Sequence, residues 1–93
     1  MSIQSFACEE TYAFWDGSRI ARFVPFEKVA MRKLAILNAA SRLEDLRIPP
    51  GNRLEALRGD RAGQHSIRIN DQFRICFVWT GAGPAQVAIV DYH

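Results

Sequence analysis

With 93 residues, of which 48% are hydrophobic and 24% charged, the chain has enough apolar material for one compact domain and too little for two, since a worthwhile core needs on the order of 100 residues. That balance excludes the low-hydrophobicity, high-charge compositions that stay disordered. A formal charge of +2 argues little by itself, and no apolar run approaches the roughly 18 residues of a membrane span, so no membrane partner is expected.

Met1-Ser2-Ile3-Gln4-Ser5 lacks the cationic start and long apolar core of a signal peptide, which predicts a cytoplasmic protein. Ile3-Gln4-Ser5-Phe6 alternates apolar and polar side chains and reads as a short first strand; Cys8 to Trp15 follows as a short helix ended by Asp16-Gly17. From Pro25 onward, Phe26, Ala30, Leu34 and Leu37 recur at helical spacing, with Val29, Ile36, Ala40 and Leu43 as an adjoining row. Pro25 suits the first helical turn, where its missing N–H costs nothing. Ser41 and Glu44 have capping-box spacing and mark a kink or a second short helix; Ile48-Pro49-Pro50-Gly51 then stops the helix.

Arg53 to Arg58 reads as a strand leading into the Gly59-Asp60-Arg61-Ala62-Gly63 loop. Beyond it the period changes to two. Ile67 and Ile69 share one face, Phe73, Ile75, Phe77 and Trp79 another, and Asn70-Asp71-Gln72 between them is turn chemistry. A hairpin with a three-residue loop sets Ile67 opposite Ile75 and Arg68 opposite Arg74; a two-residue loop would set Ile67 against Arg74 and mix the faces, so the longer loop is expected. Gly81-Ala82-Gly83-Pro84 is another turn, and Gln86 to Val90 a last strand. The order predicts an α+β fold, an N-terminal strand and two or three helices packed on a largely antiparallel sheet of four to five strands, in a single domain spanning 1–93.

Between Arg47 and Arg74 every cation is an arginine, whose planar fork suits phosphate. Arg68 and Arg74, like charges facing each other across a ladder, either clamp an anion or splay into water. Asp91-Tyr92-His93 gathers a carboxylate, a phenol and an imidazole beyond the final strand. Cleavage of RNA by its own 2′-hydroxyl needs a base of near-neutral pKa, a proton donor for the departing 5′-oxygen and cations at the phosphorane. His93 titrates in that range, Asp91 can orient it, and Tyr92 can stack on a base or donate a proton. Arg58 can reach the same groove as Arg74, and Glu55 is either a base or a surface ion pair. His65, Trp15 and Trp79 read as packing residues. Cys8 and Cys76 lack metal-ligand spacing and read as small buried hydrophobes, so neither a metal nor a cofactor is expected.

The run from Pro49-Pro50-Gly51-Asn52-Arg53-Leu54-Glu55-Ala56-Leu57-Arg58 through Ser66-Ile67-Arg68-Ile69-Asn70-Asp71-Gln72-Phe73-Arg74, with the closing Asp91-Tyr92-His93, resembles the HigB, or plasmid-maintenance killer protein, branch of the RelE/ParE toxin superfamily. The resemblance covers essentially the whole chain. It implies a toxin that cuts messenger RNA in the ribosomal A site, neutralised by a HigA-like helix-turn-helix antitoxin through which the complex reaches operator DNA. Carried across by position, it implies a catalytic cluster of Asp91, Tyr92 and His93, with Arg74 at the scissile phosphate and Arg58 where several relatives have lysine. Glu55 stands where some relatives have a catalytic histidine, so the base is either Glu55 or His93; His93, with Arg58 and Arg74 on the phosphate, is the preferred assignment, and Asp91 or Tyr92 supplies the acid. Arg53, Arg61 and Arg68 are the expected RNA-binding cations. Two other outcomes share the fold: a ParE-type inhibitor of DNA gyrase, and a toxin with decayed catalysis that persists as an antitoxin-binding module.

Overall fold

Four antiparallel strands, β1 (Glu55–Ala56), β2 (His65–Arg68), β3 (Phe73–Thr80) and β4 (Gly83–Asp91), form one sheet in sequential order in the computed structural model, which describes residues 2–92. Helices α1 (Glu9–Trp15) and α2 (Glu27–Ala39) precede it in the chain. The β2–β3 register pairs Ile67 with Ile75 and Arg68 with Arg74, as the three-residue loop requires. Because cross-strand partners share a face, Ile67, Ile75, Phe77 and Ile89 enter a core with Phe14, Phe23, Leu34 and Leu37, while Ser66, Arg68, Arg74 and Cys76 belong to the other side.

Aromatic rings fasten the helices to the sheet. Phe14 meets Phe23 edge-on at 5.4 Å, Phe23 lies 5.9 Å from Phe26, and Phe26 lies 4.6 Å from Phe73 on β3. Trp15 and Trp79 pack partly buried against this core. Both belong to it as expected.

Several boundaries differ from the sequence reading. The expected first strand shrinks to a single parallel bridge, Phe6 with Val87, flanked by hydrogen bonds from Gln4 N–H to Pro84 O at 2.7 Å and Ala7 N–H to Val87 O at 3.0 Å. An edge segment that meets one neighbour over so few residues keeps too little ladder to count as a strand. Pro25 lies inside a 3₁₀ turn, Ala21–Phe26, and α2 starts only at Glu27. The long helix ends at Ala39, well before the prolines, because Ala40 is extended and the Asp45 carboxylate accepts the N–H groups of Ser41 and Arg42, each at 3.0 Å. The residue that caps there is thus Asp45, not the Ser41/Glu44 pair. Those two N–H groups, aided by the Arg42 charge, hold the Asp45 carboxyl below its ordinary range. Only Glu55–Ala56 of the 53–58 stretch pairs as strand. In β4, Cys76 faces Ala88 but Val78 faces Ala85; the extra residue is a bulge, with Gln86 at φ 52°.

Candidate active site

On the side of the sheet away from the helices, Arg74 is the central cation. Its Nε donates to Ser66 Oγ at 2.6 Å and an Nη to the Arg53 carbonyl at 2.7 Å. Arg53 presents that carbonyl from a left-handed conformation, φ 46°. The Arg74 side chain is only 12% exposed, with Glu55 Oε1 at 4.0 Å from its Nε and the Tyr92 ring centroid 6.0 Å from its Cζ. An arginine gripped at two donors and walled on two sides holds one direction without help from a ligand.

Beside it, Glu55, Ala56, Leu57, Arg58 and Tyr92 line an open groove of about 490 Å³. On the same face of the sheet Cys76 is buried, and burial pushes its thiol pKa up against the opposing pull of Arg61 and Arg74 and with the push of Glu55. Three charges separated in sequence therefore act on one buried atom. Arg61 itself donates to Gln64 Oε1 at 3.3 Å. Cys8, by contrast, is half-buried rather than buried as expected; burial raises its pKa, but the N–H and hydroxyl of Thr11 and the N–H of Glu10 outweigh this and lower it.

The structure brings Glu55, Arg58, Arg74 and Tyr92 together and leaves other expected members apart. Arg68 does face Arg74, but its guanidinium turns to Asp71 in the hairpin loop. The like charges are relieved by separate protein acceptors, so no anion is needed between them. Asp91 pairs with Phe73 in the β3–β4 register, which places it on the helix-bearing side of the ladder, and its carboxylate accepts from Gln72 Nε2 at 3.0 Å. Tyr92, one residue on, is tied by its N–H to Gln72 O at 2.6 Å and lies beside Arg74. Period-two alternation thus parts two residues that are adjacent in sequence. His93 lies outside the described residues. The Arg53 side chain is exposed, and its carbonyl, not its guanidinium, is what meets Arg74. His65 packs on Phe77 with ring centroids 6.2 Å apart, as a packing residue should.

Ser66 was not legible as part of this site. A serine between His65 and Ile67 carries no motif; the one available signal was the hairpin register, which puts it on the Arg74 face. A larger groove of about 630 Å³ lies between residues 3–8 and α1. Its charged lining is Glu9 and Asp16, which repel a phosphate, so the smaller groove suits the chemistry better. Among the described residues no group of three or more His, Cys, Asp or Glu is arranged to hold a metal ion, and no helix is long and apolar enough to cross a membrane.

Comparison with known proteins fits this architecture. The profile of the RelE-like toxin of type II toxin-antitoxin system HigB matches residues 4–93. Toxin HigB-1 of Vibrio cholerae is 44% identical over 82 residues, covering 86% of this chain and 85% of that protein. An uncharacterized protein of Haemophilus influenzae is 42% identical over 50 residues, 54% of this chain and 50% of its own length. Among solved structures, the YoeB-YefM complex from Staphylococcus aureus aligns over 100% of this chain and 99% of the other with a TM-score of 0.58 at 16% identity. A YoeB/ParE toxin from Agrobacterium tumefaciens aligns over the same shares with a TM-score of 0.54 at 20% identity. The fold is that of the RelE-type toxins, and the chain belongs to the HigB-like toxin family of type II toxin-antitoxin systems.

Proposed function

We propose that this toxin is a metal-independent endoribonuclease that cuts messenger RNA in the ribosomal A site. The observation that carries the reading is the Arg74 guanidinium, fixed by Ser66 and the Arg53 carbonyl beside a groove lined by Arg58, Glu55 and Tyr92. Such a cation needs no reorganisation when charge develops on a phosphorane, which is where electrostatic stabilisation is worth most. In the reaction the 2′-oxygen attacks the adjacent phosphorus and the bond to the 5′-oxygen breaks, leaving a 2′,3′-cyclic phosphate and a 5′-hydroxyl. His93, next in sequence to Tyr92, takes the proton of the 2′-hydroxyl. Arg74 and Arg58 bear the phosphorane charge. Tyr92, beside Arg74, is the better placed proton donor to the leaving oxygen than Asp91, which belongs to the other side of the ladder. Glu55, close to Arg74, is the alternative base. Arg53, Arg61 and Arg68 add cations for the RNA backbone.

The same reading makes the chain a single domain of residues 1–93 that acts in the cytoplasm. It is neutralised by a HigA-like helix-turn-helix antitoxin, through which the complex reaches operator DNA. One structural neighbour is a toxin described in complex with a partner, YoeB-YefM, which supports an antitoxin-bound state.

The test is expression of wild type, His93→Gln and Arg74→Ala under a tight promoter, with growth measured and the 5′ ends of cellular messages mapped. Wild type is expected to arrest growth and leave new in-frame 5′ ends; both variants, confirmed folded by circular dichroism, are expected to lose both effects. Undiminished cleavage in both variants refutes this site. Arrest with intact messages and inhibited gyrase replaces the reading with a ParE-type one, and absence of both effects alongside tight antitoxin binding points to decayed catalysis.

A further inference from the structure

Arg74 is held by a carbonyl that is itself held from far away. Asn52, fully buried, ends the 3₁₀ turn Pro50–Asn52. Its Nδ2 donates to the Leu46 carbonyl at 3.1 Å and the Ile48 carbonyl at 3.3 Å. Its Oδ1 accepts from the Nζ of Lys33, an α2 lysine that is itself only 7% exposed. The next residue is Arg53, in the left-handed region at φ 46°, where a helix C-cap ordinarily favours glycine; its carbonyl accepts from Arg74. A conformation that is costly for a residue with a side chain persists only where its surroundings impose it.

Burial of a lysine also calls for a reason, since an ammonium is seldom taken out of water without a strong partner. Burial, then the charges of Arg32 and Arg68, lower the pKa of Lys33. Among the described residues no carboxylate forms an ion pair with it; its partner is the neutral amide of Asn52. An ammonium buried against an amide does little that an apolar side chain would not do better, unless the geometry of that amide is what matters.

We infer that Lys33 and Asn52 are positioning residues for Arg74: by locking the 46–52 turn onto α2 they aim the Arg53 carbonyl that orients the guanidinium. Neither residue lines the groove, and the pair acts on Arg74 through one backbone carbonyl. The inference rests on the nuclease reading only for its catalytic consequence, since the orientation of Arg74 can be read directly.

The experiment uses the full-length toxin, purified free of antitoxin, as wild type and Lys33→Met. The first readout is the Arg74 side-chain Nε–H resonance in ¹⁵N spectra, assigned by its loss in Arg74→Lys. In wild type it is expected to exchange slowly with solvent. In Lys33→Met exchange is expected to accelerate at least about fivefold, with backbone shifts confined to residues near the 46–53 turn. The second readout is single-turnover cleavage on ribosomes carrying a defined message, where misplacing a catalytic group costs on the order of ten- to a hundredfold, here in the cleavage rate at saturation and not in the half-saturating concentration. If Lys33→Met does not fold, Lys33→Gln, which keeps a donor and a polar head, is measured by the same criteria. An unchanged Arg74 resonance in the folded variant overturns the inference, whatever the activity. Absence of cleavage by wild type refutes the nuclease reading instead and leaves the resonance to decide this one.

Discussion

Removing the Ser66 hydroxyl tests the contact that holds Arg74. Ser66 is fully buried and its Oγ takes the Arg74 Nε–H at 2.6 Å, so Ser66→Ala deletes one acceptor of a charged donor and little volume. Hydrogen bonds to charged groups contribute about 1.5–3 kcal/mol. The Arg74 side chain is only 12% exposed, so water replaces the lost partner poorly, and a destabilisation of about 2 kcal/mol is expected. For a domain of this size each kcal/mol shifts the melting temperature by roughly 4–8 °C, so Ser66→Ala should melt roughly 8–16 °C lower. The contact itself is isolated by a double-mutant cycle with Arg74→Met, followed by urea unfolding. The coupling should be at least about 1 kcal/mol; additivity within about 0.5 kcal/mol would show that the hydroxyl and the guanidinium are energetically independent and would refute the view that Ser66 fixes Arg74.

Thr11→Val is nearly isosteric but removes the hydroxyl that accepts the Ile89 N–H at 3.0 Å; Thr11 is fully buried and Ile89 nearly so, and the stranded amide should cost about 1–3 kcal/mol, read as a lower urea midpoint at unchanged slope. Asp45 has a folded pKa below its ordinary 3.8, so its contribution is present above the unfolded value and is lost as pH falls through the folded one. Asp45→Asn should therefore melt below wild type at neutral pH, and the gap should close as the solution is taken from about pH 5 toward pH 2; a constant gap in a series of thermal melts would show that the carboxylate charge plays no part.

How much was legible beforehand follows from the range of each interaction. The β2–β3 register was readable because only a three-residue loop keeps Ile67 with Ile75 and the arginines together, and the pairing of Arg68 with Arg74 followed. The interior face of α2 was readable in the same way: Ala30, Leu34 and Leu37 lie at helical spacing and are all fully buried. The expected site was legible as a set of residue types and a family resemblance. Its internal sorting was not: Arg68 took Asp71 three residues on and Arg74 took Ser66 across the hairpin, each one of several acceptors within local reach, and the Arg53 carbonyl reaches Arg74 only because of where the turn before β1 passes.

The amino-acid sequence by itself determined the period-two hairpin, the apolar stripe of the long helix and membership of the toxin family, because burial patterns repeat along the chain and leave a local record. Only the tertiary structure decided that a buried lysine and asparagine stand behind the turn before β1, and that a backbone carbonyl aims the central arginine. Those depend on contacts between residues about 20 positions apart, such as Lys33 with Asn52 and Arg53 with Arg74, whose directional geometry leaves no periodic trace in the chain that makes them.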